Sequence, residues 1–198
     1  EPADFEIKTN THDLTLTAQS GGGEYSAAPY KLENVKASIE GAVIEYKVGD
    51  GEWTAEEPSA TNVADSKAAI SVRASLEGYQ TAQVDNLSID VTPKPVTVTA
   101  NRAEKMFGED DPELSATVAG TIGADTVKYE VKRPGAGTDE AVKVYGGAVV
   151  ASGDKEQGNY SVSFEPADFE IIPLDFGKTD GVHVVVTAPN DVVYDAQE

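Results

Sequence analysis

Val96-Thr97-Val98-Thr99-Ala100 sets an apolar side chain at every second position with threonine between, and Leu14-Thr15-Leu16-Thr17-Ala18 does the same 82 residues earlier. Successive side chains leave a strand on opposite faces, so this alternation predicts strands with one buried and one wet face. Ile70-Ser71-Val72-Arg73-Ala74 and Tyr160-Ser161-Val162-Ser163-Phe164 repeat the pattern, and Gly, Pro, Asn and Asp clusters separate the runs. Val43 to Val48, Gly49-Asp50-Gly51 and Glu52-Trp53-Thr54 read as a hairpin with a glycine-containing loop. No stretch holds a 3.6-residue period with caps; Ala64 to Ala69 and Thr138 to Val144 have room for a turn or two of helix. The expected fold class is all-β: tandem small immunoglobulin-like β-sandwich domains. β-Grasp-like modules are the alternative, and they require a packed helix.

The alternating strands belong to a repeat. Glu1-Pro2-Ala3-Asp4-Phe5-Glu6-Ile7 recurs letter for letter as Glu165 to Ile171, 164 residues on. That unit is itself double. Tyr25 and Phe107 stand 82 residues apart, Tyr46 and Tyr129 stand 83 apart, and Tyr79 and Tyr160 stand 81 apart. These landmarks predict residues 1–10 as the last strand of a preceding repeat, 11–92 as a first sandwich and 93–172 as a second. Residues 173–198 read as a linker and the start of a third module, where Val184-Val185-Val186-Thr187-Ala188 repeats the opening strand. Between the sandwiches, Thr92-Pro93-Lys94-Pro95 leaves no slack, because Pro93 and Pro95 favour extended backbone; a stiff end-to-end joint is expected there. The junction from Ile172 to Val182 is longer, includes Gly177 and Gly181, and should bend more easily.

Charge and composition exclude several classes of function. With 15 basic against 35 acidic residues the formal charge is −20, so nucleic acid is not an expected partner: phosphate recognition needs a Lys/Arg surface. There is no cysteine, hence no disulfide framework and no thiolate metal site. No run approaches the roughly 20 apolar residues of a membrane span, so no membrane insertion is expected in this segment. Two histidines (His12 and His183), no cysteine and no Ser-x-Gly elbow give nucleophilic catalysis nothing to work with, and no catalytic residue and no cofactor is expected.

Several spaced motifs carry a family resemblance. The run Val96 to Ala100, Phe107-Gly108-Glu109-Asp110-Asp111-Pro112, the Gly120-Thr121 turn, Arg133, and Gly158-Asn159-Tyr160 to Ile171 resemble the MBG repeat of bacterial surface proteins. The resemblance is to the type named for an aromatic-Gly motif, with Phe107 in place of the usual tyrosine. Residues 11–92 resemble a more distant cousin that keeps Tyr25 but has Ser26 where the glycine would stand. The resemblance implies an extracellular, cell-surface or secreted, adhesin-like array of small β domains, and it carries over no catalytic residue.

Candidate binding residues fall in two loops. Trp53, flanked by Asp50 and Glu52, has the elements of a sugar site, since an indole stacks on the apolar face of a pyranose while acids accept its hydroxyls; the competing account is that Trp53 packs. Glu109, Asp110, Asp111 and Glu113 cluster as hard oxygen ligands suited to Ca²⁺, though their spacing is not that of an EF-hand loop and a solvated acidic turn explains them as well. An isopeptide crosslink would need a buried lysine beside an acid; Lys36, Lys47 and Lys128 lie in strand-like runs without an evident partner. The residues expected to be structural are Pro93 and Pro95 at the joint, Gly108, Tyr25, Phe107, and Tyr79 and Tyr160 as tyrosine-corner residues. The leading expectation is a spacer or stalk whose partners are neighbouring repeats of the same chain. Its rival is a module that binds a glycan or a host surface protein through Trp53.

Overall fold

The computed structural model describes residues 13–138 and 140–174; the stray strand expected at 1–10 and the truncated module after residue 174 lie outside them. The first module contains β1 (Leu16–Gln19), β2 (Gly21–Glu24), β3 (Tyr30–Lys31), β4 (Glu33–Ala37), β5 (Val43–Val48), β6 (Ser59–Ala60), β7 (Lys67–Ser75) and β8 (Ala82–Thr92). The second contains β9 (Lys94–Ala100), β10 (Ala103–Met106), β11 (Ala116–Ala119), β12 (Glu130–Lys132), β13 (Lys143–Ser152), β14 (Glu156–Gln157), β15 (Tyr160–Glu165) and β16 (Ala167–Ile172). The fold is an all-β sandwich, and no described residue is α-helical.

Each module builds one four-stranded sheet in the same spatial order. It runs β2-β8-β7-β5 in the first and β10-β16-β13-β12 in the second. In both, a short early strand lies parallel to the module's last strand, Glu24 beside Thr92 and Met106 beside Ile172. The opposing sheet of module 2, β11-β9-β15-β14, places Val96, Val98 and Val162 against Val149, Ala151, Phe169 and Ile171 of the first sheet, all buried. In β9 the valines are buried and the threonines between them are not, as the alternation requires.

The closing segment changes sheets midway in module 2, whereas in module 1 it stays in one sheet, and the two modules interrupt it differently. In module 2, Pro166 stands between β15 and β16 and withholds the N–H that would continue a ladder. In module 1 the strand is unbroken, but Asn86 adopts a left-handed φ of 61° and the register slips there. Glycine is indispensable where strands press closest. A Cβ on Gly22 would lie 2.0 Å from the Asp90 carbonyl oxygen, and one on Gly120 2.6 Å from that of Pro95; both have positive φ.

Three sequence expectations need correction. Ala64 to Ala69 is not a helix: a single 3-10 turn spans Val63–Asp65, and β7 starts at Lys67 because Ile70, Val72 and Ala74 are all needed in the core. Thr138 closes a turn on Gly135, and the chain then enters β13. Tyr129 is not the counterpart of Tyr46. Tyr46 pairs with Val72 and is buried, whereas the matching place opposite Ala151 is filled by Val131, leaving Tyr129 exposed. The expected hairpin after β5 closes through one bridge, with Tyr46 and Thr54 exchanging both backbone hydrogen bonds.

Candidate functional site

Among the described residues, the side-chain hydrogen bonds of longest sequence range join the two modules. From module 1 the chain runs out of β2 into Tyr25, whose amide donates to the Thr92 carbonyl at 2.9 Å and whose ring is buried. Tyr25 meets Tyr160 of module 2 edge to face, with centroids 5.5 Å apart and planes at 87°, an arrangement the ring quadrupoles favour. Both phenols donate to one oxygen of Asp125, Tyr160 at 2.6 Å and Tyr25 at 3.3 Å. Tyr160 also accepts from the Ile122 amide at 3.0 Å, so its hydroxyl pins the Ile122–Asp125 turn as a tyrosine corner does. Burial is the main cause that raises its pKa, helped by the neighbouring Asp125 carboxylate.

Two further contacts close the joint. Asn159 accepts from the Val63 amide at 2.9 Å and donates to Asn62 Oδ1 at 2.9 Å, tying module 2 to the 3-10 turn of module 1. Asp65 caps that turn on Asn62. Lys94 Nζ reaches Glu24 at 2.6 Å while its backbone amide donates to Asn159. Thr92 and Lys94 are therefore already ladder residues, and Pro93 is the single residue between two sheets. Tyr79, expected to match Tyr160, is half-buried in a turn on Leu76 at the other end of module 1.

Trp53 lies elsewhere, half-buried on the outer face of the β5–β7 sheet. The Arg73 guanidinium stands 4.4 Å from its ring centroid and Lys47 Nζ 5.5 Å from it, and Arg73 is held by Glu45 at 2.8 Å. The ring is thus a platform for cations of its own sheet. Asp50 and Glu52 are exposed on the adjoining loop.

The acidic loop is organised around a buried cation rather than around an open oxygen cage. Arg133, the one buried charged residue among those described, grips Asp111 with two 2.7 Å hydrogen bonds, takes Glu140 at 2.7 Å, and stacks 4.3 Å from the Phe169 ring. Lys105 Nζ completes the cluster, 2.9 Å from Asp111 and 2.5 Å from Glu140. Arg133 above all holds Asp111 below the usual carboxylate range; Lys105, then Arg133 and the Gly137 amide, bring Glu140 down to about 2. Glu109 caps the Met106 amide at 3.1 Å, while Asp110 and Glu113 are exposed. The four carboxylates do not converge, and among the described residues no group of three or more His, Cys, Asp or Glu is placed to hold a metal. Lys105, half-buried as a residue though its side chain is 8% exposed, lies beside two acids, yet an ionised acid held by Arg133 is a poor acyl donor for an amide bond.

This clasp draws together Asp111, Arg133 and Phe169, three separated parts of the aromatic-Gly pattern. Residues 96–170 match the family model described as MBG domain, YGX type. The match covers most of module 2 and none of module 1. No curated protein and no solved structure matches the chain closely enough to count as a relative. In module 2 the glycine of the motif, Gly108, has a φ of 87°, and Phe107 is half exposed, quite unlike its buried counterpart Tyr25. Module 1 lacks the glycine, and its left-handed residue is instead Ala27, with a φ of 61°.

Sequence reasoning found Tyr25, Tyr160 and Pro93 but missed Asp125, Asn62, Lys105 and Glu140. Asp125 and Asn62 have no repeat partner to mark them. Lys105 and Glu140 look like ordinary surface charges in a chain with 35 acids.

Proposed function

We propose that this chain is a spacer segment of a bacterial cell-surface or secreted, adhesin-like repeat protein, projecting a functional region that lies elsewhere. Its role is mechanical and non-enzymatic. The observation that carries the reading is the joint: one proline between two ladders, flanked by side-chain contacts from both modules, restrains bending and twisting together. The MBG match supports the surface and repeat character. The acidic surface keeps neighbouring copies apart and soluble. Among the described residues no helix is long and apolar enough to cross a membrane. The rival reading, a glycan-binding module centred on Trp53, is the less supported one, because Arg73 already stacks on that indole.

The test measures the angle between modules. The chain has no cysteine, so Glu40→Cys and Asp154→Cys, both exposed, accept a unique spin-label pair. A narrow distance distribution, unchanged by millimolar calcium or chelator, is expected; Asp125→Ala should broaden it, as should Pro93→Gly with Pro95→Gly. A broad distribution in the parent chain sinks the stiff-spacer reading. A distribution that narrows only with calcium assigns the stiffness to the carboxylates instead.

A further inference from the structure

The far end of module 2 occupies the position that, in module 1, receives the next domain. Met106 lies beside Ile172 as Glu24 lies beside Thr92, and Phe107 donates its amide to Ile172 as Tyr25 does to Thr92. Pro173 and Leu174 then follow β16 as Pro93 and Lys94 follow β8. The pairs have changed together. Where the first joint sets Glu24 against Lys94 in a 2.6 Å ion pair, the second offers Met106 and Leu174, both uncharged. Tyr25 has become Phe107, which has no hydroxyl for an aspartate, and Thr92 has become Ile172. An opposite-charge pair replaced on both sides by an apolar pair keeps a contact complementary, whereas one change alone would set a charge against an apolar group.

This end is also the more apolar one. Phe107 is 50% exposed, and Val142, just before the strand that pairs with Ile171 and Ile172's neighbours, is 47% exposed. An open cavity of about 420 Å³ lies beside Phe107, between Lys105, Asp110, Ala136 and Gly137. Exposed large apolar groups gathered at one place mark an interaction surface.

We propose that Met106, Phe107 and Leu174 form an apolar seat for a following module of the same kind, which docks by the face that in module 2 carries Asp125, Asn159 and Tyr160. The proposal rests on the repeat-array reading. It adds that successive joints use one geometry with alternating chemistry, ionic and hydroxylic at the first, apolar at the second. In sequence, Val184 to Ala188 supplies the opening strand of that module, and Tyr194 its aromatic position.

Met106 is the only methionine, so its ε-methyl gives a single ¹³C-labelled NMR signal that reports on the seat. The chain is extended in two ways: residues 112–172 added after Glu198 to complete the third module, or residues 95–172 added after Leu174. The first addition brings no second methionine, and in the second the added copy carries Met106→Leu so that the signal stays single. Docking predicts that broadening of the Met106 methyl by a soluble paramagnet falls several-fold on extension. Tyr160→Ala in the added copy should restore it. Met106→Glu removes that reporter and is followed instead by a spin-label pair spanning the second joint: it should broaden the distance distribution, and Leu174→Lys added to it should narrow it again. Equal broadening in parent and extended chains overturns the proposal, as does failure of both extensions to fold as three modules. Either failure leaves the spin-label result at the first joint untouched, so the spacer reading stands or falls separately.

Discussion

In module 2 the loop that leaves β10 is fastened from within: Arg133 reaches from the end of β12 to Asp111, and Glu140 and Lys105 close the cluster over Phe169. In module 1 the corresponding loop runs Tyr25-Ser26-Ala27, and no buried cation among the described residues meets it. Its aromatic is instead covered from without, by Tyr160 of the neighbour. The same place in two copies of one fold is thus secured once by an internal ionic clasp and once by an interface. A repeat array can spread its stability in this way: a module with its own clasp presents a finished surface, and a module without one gains order from the next.

The largest expected effect breaks the clasp. Arg133→Ala leaves two carboxylates beside a buried aromatic with only Lys105 to balance them, and losing one partner of a buried ion pair costs about 3 to 5 kcal/mol. Denaturant unfolding followed separately in each module, with Trp53 reporting module 1, should show the loss in module 2 alone. An equal loss in both would mean that the modules unfold as one unit and that the contrast drawn above is false.

Next is the interface. Tyr160→Phe removes a hydroxyl that donates to Asp125 and accepts from Ile122, costing about 1 to 3 kcal/mol because the Ile122 amide loses its partner. Tyr25→Phe removes only the 3.3 Å bond to Asp125 and should cost less than about 1 kcal/mol. Comparable effects would argue that the shared carboxylate, not the Ile122 turn, holds the joint.

Titration sharpens the comparison further. Folding lowers the pKa of Asp111 and Glu140, so what they contribute is complete above their ordinary values of 3.8 and 4.5; the contribution of Glu140 drains away as pH falls toward about 2, and that of Asp111 as pH falls through its own lowered value. Module 2 should lose stability over that range, and Arg133→Ala should flatten the profile. At the alkaline end, Tyr160 has a raised pKa. Its contribution is complete below pH 10 and is lost as pH rises through the higher folded value, which Tyr160→Phe should abolish. The smallest effect is expected for Ala27→Gly. Relief of the left-handed φ of 61° is partly offset by greater freedom when unfolded, for a gain of about 0.5 kcal/mol measured in module 1.

The sequence by itself determined the all-β class, the doubled repeat and the extended Thr92–Lys94 joint, because each is written in local periodicity, in spacing or in the fixed φ of proline. Alternation at Val96 to Ala100 works as a signal since a half-buried strand can satisfy its core in only one register. The Tyr46–Tyr129 correspondence failed for the converse reason: identical letters at similar spacing do not reveal a two-residue shift that only pairing with β7 and β13 exposes. Which acids are free and which are held was likewise decided by tertiary structure alone. Asp110 and Asp111 are neighbours of one kind in the sequence, yet only Asp111 meets Arg133, some 22 residues away. Asp125 gains its role from two tyrosines 35 and 100 residues distant. Charge and hydrogen bonding act through space, over a few ångströms, and the chain order of this protein does not encode those distances until β8 and β9 have brought its two modules together.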